Sequence, residues 1–350
     1  MIIGTPKEIK NQEYRVGLTP EAVKILCEKK HIVLIESGAG IGAGFSDADF
    51  WQAGALIVHD RQNIWSAADI IVKVKEPLSE EWPRLVKGWP LFRKKSILFA
   101  FFHFPANPEL KEIILRHSVN AFPYENIQLA DGSRPILRVM SQIAAEVSVD
   151  TGAHYLRKEN GGKGVLLKDA TAVVIGCEGS LGKTAFQLLV NRGAYVIGFD
   201  KQECFEKIGI KNDALGKRQE KRIYTPELLK ETIKKTDLVI CAAAIKGEGA
   251  PKLITREMVK LMQPGSVIVD PAIDEGGCCE TSRPTTHDNP IFIEEGIIHY
   301  CVANMPGAVP RSSTPALVRE TLPFILEVAD KGLEKALKEN EILRRAAIIN

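Results

Sequence analysis

Residues 171–200, TAVVIGCEGSLGKTAFQLLVNRGAYVIGFD, run through an apolar strand pattern, glycines at 176, 179 and 182, a helix of small and apolar residues, and a second strand pattern ending at Asp200. This is a complete β-α-β unit, and it commits the chain around it to a parallel α/β sheet. Missing side chains at such a turn let backbone amides and a helix N-terminus approach phosphate groups. Gly176, Gly179 and Gly182 are therefore the expected cradle of a dinucleotide pyrophosphate. Asp200, 24 positions after Gly176, stands where a carboxylate accepts hydrogen bonds from the adenosine ribose and disfavours a 2′-phosphate, which favours NAD over NADP. Lys201 weakens that preference slightly, and an aspartate at a strand end also serves as ordinary turn chemistry. The turn holds Cys177 and Glu178 between its first two glycines, one residue more than the common fingerprint. Glu178 brings a negative charge near the phosphates, so its side chain is expected to point outward to solvent.

The same rhythm extends over most of the chain. Ile32–Ile35, Leu56–Val58, Ile70–Val74 and Ile97–Phe102 form a first series of short strand patterns, and Ala172–Ile175, Tyr195–Phe199, Leu238–Ala242 and Val267–Val269 a second. Between them Pro135–Arg157 carries apolar residues at helical spacing, and after Pro310 the residues Leu317, Leu322, Ile325, Leu326 and Leu333 form another helical stripe. A chain of 350 residues exceeds what one core usually serves. The expected fold is α/β, two doubly wound Rossmann-like domains joined by long connecting helices. Residues 1–135 with 308–350 form the substrate (catalytic) domain and 136–307 the NAD-binding domain. A rival glycine stretch, HIVLIESGAGIGAGFSDADF, has glycines at 38, 40, 42 and 44. Ala43 stands where the third glycine of the fingerprint belongs, and Asp47 and Asp49 follow where phosphates need room, so it reads as a strand-to-helix loop.

Composition excludes several classes of function. A formal charge of +2 from 46 basic and 44 acidic residues leaves no electrostatic footprint for nucleic acid, so a small-molecule substrate is expected. The basic clusters Arg93, Lys94, Lys95 and Lys217, Arg218, Lys221, Arg222 read as solvated surface. The seven cysteines are scattered and contain no C-x-x-C pair, which points to a reducing compartment and to no metal site. Cys278 and Cys279, near His287, are adjacent and on an extended segment point to opposite faces. No run approaches a membrane span, and the N-terminus lacks a signal-peptide pattern, so no membrane partner and a cytoplasmic location are expected.

A dehydrogenase acting on an oxo acid needs a cation for the carboxylate, a polariser for the carbonyl and a proton donor near neutral pH. Arg15, in NQEYRVGLTP, offers the planar guanidinium fork, although surface arginines are common. Lys73 and Lys75 lie two apart on the strand IIVKVKEPL and so point to one face; Lys75, at the C-terminal end, is the choice for the carbonyl, with a solvated edge strand as the alternative. His103 ends the apolar run ILFAFFHF, where a titrating imidazole suits acid-base work and a satisfied core histidine is the plainer reading. Asp270, Asp274 and Asn304 sit in loops that suit either the nicotinamide end of a cofactor or ordinary turns.

The strings IGTPKEIKNQEYRVGLTP, SGAGIGAGFSD, VKVKEP, YENIQLADGSRPIL, MSQIA, GAHYL, APKLITREMV, AIDEGGCCETSRPTTHDNP and HYCVANMPGAVPRSST, in this order over nearly the whole chain, resemble the family of alanine dehydrogenase and the nicotinamide nucleotide transhydrogenase alpha-subunit, most of all its alanine dehydrogenase branch. The resemblance implies NAD-dependent, reversible oxidative deamination of L-alanine to pyruvate and ammonia in a homohexamer. It implies that Arg15 and Lys75 bind substrate, that His103 is the acid-base group, and that Asp274 stabilises the iminium and carbinolamine stages. Ser141 and Asn304 match residues near the nicotinamide, and Asp200 the ribose-binding acid. No metal is implied.

The chain departs from the family pattern in places. Leu137, Arg138, Val139, Met140 and Ser141 stand where the family reads Leu-Ala-Pro-Met-Ser, Glu275 replaces a glutamine, the loop between Leu167 and Ala172 is shorter, and Gly88–Ser96 reads as inserted. These changes leave open an opine-type or saccharopine-type NAD(P)-dependent enzyme that joins an amino acid to an oxo acid, with Arg138 or Glu275 reading the extra charge. A non-catalytic NAD-binding homologue is the alternative from another class, and retention of Arg15, Lys75, His103 and Asp274 together argues against it.

Overall fold

The computed structural model describes residues 1–81, 85–86, 89–90, 95–104, 107–201, 219–244 and 249–349. Two compact units divide the chain, Met1–Met140 with Pro306–Asn350, and Ser141–Met305. The helix Pro135–Tyr155 carries the chain out of the first unit, ending two residues short of its expected bound. Return is through a 3-10 turn, Met305–Ala308, that leads into the helix Pro310–Lys331.

In the first unit six strands, β1 (Ile2–Thr5), β2 (Ile32–Glu36), β3 (Leu56–Val58), β4 (Ile70–Val72), β5 (Ile97–Ala100) and β6 (Asn120–Pro123), form a wholly parallel sheet in the order β3-β2-β1-β4-β5-β6. Every residue of β4 and β5 is buried, as continuous apolar runs must be in a sheet covered on both faces. Strand order reverses between β1 and β4, and ligand crevices form at the carboxyl ends of strands at such a switch point. Residues 85–86 and 89–90 form a separate antiparallel pair.

The Gly38–Gly44 stretch packs against its own unit. A Cβ on Gly40 would lie 2.4 Å from the Phe50 ring, and one on Gly42 would lie 2.6 Å from the Tyr14 carbonyl oxygen. Asp47 accepts from Ser37 Oγ and Gly38 N, and Asp49 closes a capping box with Ser46. The two acids therefore start a helix, as the reading of this stretch as a strand-to-helix loop requires. The helix Pro310–Lys331 buries Leu317, Val318, Ile325 and Val328, and its Thr314 hydroxyl accepts from Val16 N.

The second unit contains β7 (Thr171–Ile175), β8 (Tyr195–Asp200), β9 (Gln219–Ile223), β10 (Leu238–Cys241), β11 (Val267–Val269), β12 (Ile291–Glu294) and β13 (Ile297–Tyr300), ordered β9-β8-β7-β10-β11-β13-β12. Only the edge strand β12 runs antiparallel. Side chains alternate between two cores: Ala172 and Val174 pack with Phe186 and Leu189, while Val173 and Ile175 pack with Leu229 and Val259. Burying side chains of this size contributes about 1.5–3 kcal/mol each.

Candidate active site

Lys75 and His103 lie just beyond the carboxyl ends of their strands and Arg15 in the loop after β1, and acidic residues hold the segments that carry them. Arg15 is 2% exposed; its Nε and Nη2 donate to Glu13 Oε1 at 2.8 Å and Oε2 at 2.6 Å, and Nη1 lies 3.2 Å from Met140 Sδ. This bidentate pair orients the guanidinium plane. β4 stops at Val72 and both lysines follow it, with Lys73 N still donating to Phe99 O at 2.9 Å. Lys73 is fully buried and donates to Glu8 Oε2 at 2.9 Å and Glu81 Oε1 at 2.7 Å. Burial works against the Lys73 ammonium, yet the two carboxylates outweigh it and hold its pKa above the ordinary lysine value. Glu8 Oε1 also accepts Val74 N at 2.7 Å, which anchors the backbone immediately before Lys75.

His103 stands beyond β5 with φ 49°, in the left-handed region. Its amide donates to Glu125 Oε1 at 2.8 Å, its carbonyl accepts from Asn107 N at 3.1 Å, and its ring stacks on Phe101 with centroids 6.0 Å apart. Burial pushes the Glu125 carboxyl above the ordinary carboxylate range, while amide hydrogen bonds and the charge of Lys75 pull it back. Glu8, Glu13 and Glu125 were not anticipated from sequence. The available signal was chemical: a fully buried lysine requires a carboxylate partner somewhere in its own fold.

In the second unit Gly176 turns at φ +79°, and a Cβ there would lie 2.8 Å from the backbone of Ala242 and Ala243, at the end of β10. β7 and β10 flank this unit's own switch point. A cavity of about 430 Å³ opens there, lined among others by Gly176, Gly179, Asp200, Lys201, Tyr224 and Ala243. The Asp200 carboxylate accepts from Glu178 N at 2.8 Å through Oδ2 and from Lys201 N at 2.8 Å through Oδ1. A carboxylate has about four lone-pair sites, so this leaves capacity for ribose hydroxyls. A glycine-bounded turn beside an acid at the next strand end fits a dinucleotide.

Glu178 corrects the sequence reading. Its side chain is 3% exposed, and it meets Lys221 at 2.5 Å and Lys183 at 3.3 Å instead of pointing to solvent. Lys221, 17% exposed on β9, is accordingly no solvated surface residue. Arg222 pairs with Glu220, while Lys217, Arg218, Arg93 and Lys94 lie outside the described residues. Asp274 is brought to Asn304, whose amide donates to Asp274 Oδ2 at 3.2 Å. Asn304 has φ 58°. Ser141 is half-buried on the helix Pro135–Tyr155, and neither Ser141 nor Asn304 lines the 430 Å³ cavity. Asp270 is fully buried and ties down its own loop, accepting from Cys278 N at 2.9 Å and Ser282 Oγ at 2.6 Å. The Cys278 thiol donates to Ala243 O, whereas Cys279 meets Thr281.

Residues 4–144 match the model of the N-terminal domain of alanine dehydrogenase/PNT, and residues 148–350 that of its C-terminal domain. The chain belongs to this family. An alanine dehydrogenase of Halomonas elongata is 44% identical over 97% of this chain and 91% of its own length. One from Bacillus subtilis is 43% identical over 98% of this chain and 90% of its own. Among solved structures, an L-alanine dehydrogenase superposes with a TM-score of 0.91 at 40% identity, covering 100% of this chain and 95% of that one. A transhydrogenase from Sinorhizobium meliloti shares the fold, with a TM-score of 0.83 at 24% identity over 100% of this chain and 99% of that one. Among the described residues no helix is long and apolar enough to cross a membrane.

Proposed function

We propose that this chain is an NAD-dependent L-alanine dehydrogenase catalysing the reversible oxidative deamination of L-alanine to pyruvate and ammonia. Relatives of that name match it over nearly their whole length. The observation that carries the reading is the set of carboxylates that hold one loop and two strand ends: Arg15 on Glu13, Val74 beside Lys75 on Glu8, and the His103 amide on Glu125, whose carboxyl also feels the Lys75 charge. Together Arg15, Lys75 and His103 supply a fork for a carboxylate, an ammonium for a carbonyl and an imidazole for proton transfer.

Residues 1–135 with 308–350 are the substrate domain in this reading, and 136–307 the NAD-binding domain. Gly176, Gly179 and Gly182 take the pyrophosphate, Asp200 the ribose, and Ser141 and Asn304 the nicotinamide end. When bound, NAD accepts hydride from the amino acid and returns it in the reverse direction. Arg15 grips the substrate carboxylate and Lys75 its carbonyl oxygen, which fixes the reacting carbon. His103 moves the protons, and Asp274 stabilises the cationic iminium and carbinolamine stages. A homohexamer in the cytoplasm completes the proposal, as the resemblance to the family implies.

The test follows NADH oxidation with pyruvate and ammonium, repeated with other oxo acids, with amino acids in place of ammonium, and with NADPH. Turnover with pyruvate and ammonium is expected. Turnover that appears only when an amino acid replaces ammonium overturns the proposal in favour of an opine-type reaction, and no turnover with any pair leaves a non-catalytic homologue.

A further inference from the structure

Glu125 belongs to none of the roles above, yet it accepts from the backbone amides of both Phe102 and His103. It follows β6, in the turn Tyr124–Asn126. Ala100 of β5 pairs with Pro123 of β6, so two residues farther along each chain Phe102 and Glu125 come opposite one another. The carboxylate therefore reaches sideways across the strand ends, where Oε1 accepts Phe102 N at 3.1 Å and His103 N at 2.8 Å. Asn107 holds the same segment from the other side, its Nδ2 donating to the carbonyls of Phe102 and His103 at 3.2 and 3.3 Å. Phe101, which stacks under the imidazole, meets the Tyr124 ring edge-on at 5.2 Å.

A non-glycine residue in the left-handed region persists only where its surroundings over-determine it, and such residues gather where side-chain aim matters. We propose that Glu125 is a positioning residue that holds His103 in its left-handed conformation and places a negative charge between the imidazole segment and Lys75. This rests on the reading of His103 as the acid-base group. Burial raises the Glu125 carboxyl above its ordinary range while the two amides and the nearby Lys75 oppose that rise, and a negative charge on this side of the segment would favour a protonated ring over a neutral one.

Glu125→Gln keeps an acceptor oxygen for the two amides and removes the charge; Glu125→Ala removes both. Steady-state kcat and KM for pyruvate, ammonium and NADH, measured from pH 6 to 10, separate the two roles, with His103→Ala run in parallel. Glu125→Ala is expected to lower kcat about 100-fold, the scale of a small misplacement of a reacting group, with the KM for NADH nearly unchanged. Glu125→Gln is expected to lose less and to move the histidine limb of the kcat profile roughly 0.5–1 pH unit toward lower pH, since loss of the carboxylate disfavours the imidazolium. If His103→Ala is inactive while both Glu125 variants keep the wild-type kcat and profile, the proposal falls and the acid-base reading stands. Reduced kcat in Glu125→Gln with an unmoved profile makes Glu125 a structural contact and likewise overturns it. Full activity in His103→Ala removes the reading and the proposal together. Should Glu125→Ala fail to fold, the profile of Glu125→Gln decides alone.

Discussion

A methyl group on Gly182 would lie 2.0 Å from the Gly176 carbonyl oxygen and 2.8 Å from its carbon, backbone atoms that no rotamer change can move. On Gly179 the same addition meets that oxygen at 3.3 Å, a contact that small adjustments absorb. The two glycines therefore serve different ends, Gly182 the approach of helix to strand and Gly179 open space above the turn. Gly182→Ala is expected to destabilise the protein by about 2–3 kcal/mol, as overpacking does, and to raise the KM for NADH. Gly179→Ala is expected to leave the urea midpoint unchanged and still raise that KM roughly tenfold, the ratio reached when about 1.4 kcal/mol of binding is lost. Equal urea midpoints for the two variants would contradict this division. The glycine spacing was readable in the sequence. The burial of Glu178 was not, because its partner Lys221 comes from an edge strand 43 residues later, and no local pattern announces that pairing.

At the scale of elements, most continuous apolar strands were legible, the edge strand Leu56–Val58 among them, whereas the interior strands Ile2–Thr5 and Ile297–Tyr300 and two polar or unbranched strands were not. Ile97–Ala100 and Leu238–Cys241 are apolar throughout and buried on both faces, so composition alone marks them. Asn120–Pro123 has no β-branched residue, and Gln219–Ile223 is polar at nearly every position; both become strands because a neighbour supplies the ladder. The loop after β11 shows the same limit in its side chains. Asp270 and Asp274 looked alike in sequence, but Asp270 is buried beneath the loop and Asp274 is exposed upon it. Burial raises the Asp270 carboxyl above its ordinary range, against the pull of Ser282 and two backbone amides. Asp270→Ala leaves those buried donors without an acceptor, at about 1–3 kcal/mol for each group, and frees the loop that carries Asp274. Expected are a lower urea midpoint and a lower kcat together. Asp270→Asn keeps an amide oxygen in place and should lose less of both; equal losses in the two variants would show that the donors do not matter.

Over the whole molecule, two sheets each reverse strand order once at a switch point, and the first unit gathers buried charge around Lys73. Glu8 and Glu81 face Lys73, with Glu13 and Tyr124 also near Glu8. Arg15 is held by Glu13. Three carboxylates against two cations leave one negative charge, and burial raises the pKa of Glu8 from 4.5 to about 7, with Lys73 opposing and Glu81 and Glu13 adding to the rise. Because the folded value lies above the unfolded one, the folded state binds more protons across this window. The stability that Glu8 contributes is thus complete below about pH 4.5 and is lost as pH rises through about 7. His299 acts in the other direction: burial lowers its pKa from 6.5, so its contribution is present above that value and is lost as pH falls below it. Glu8→Gln keeps an oxygen for Val74 N and leaves Glu81 to Lys73. Relative to this variant, the wild type is expected to lose on the order of 2–3 kcal/mol of unfolding free energy between pH 5 and 8, read from urea midpoints taken at intervals of pH. A constant difference between the two proteins across that range would mean that Glu8 keeps the same protonation state throughout and that the cluster's extra charge is balanced elsewhere.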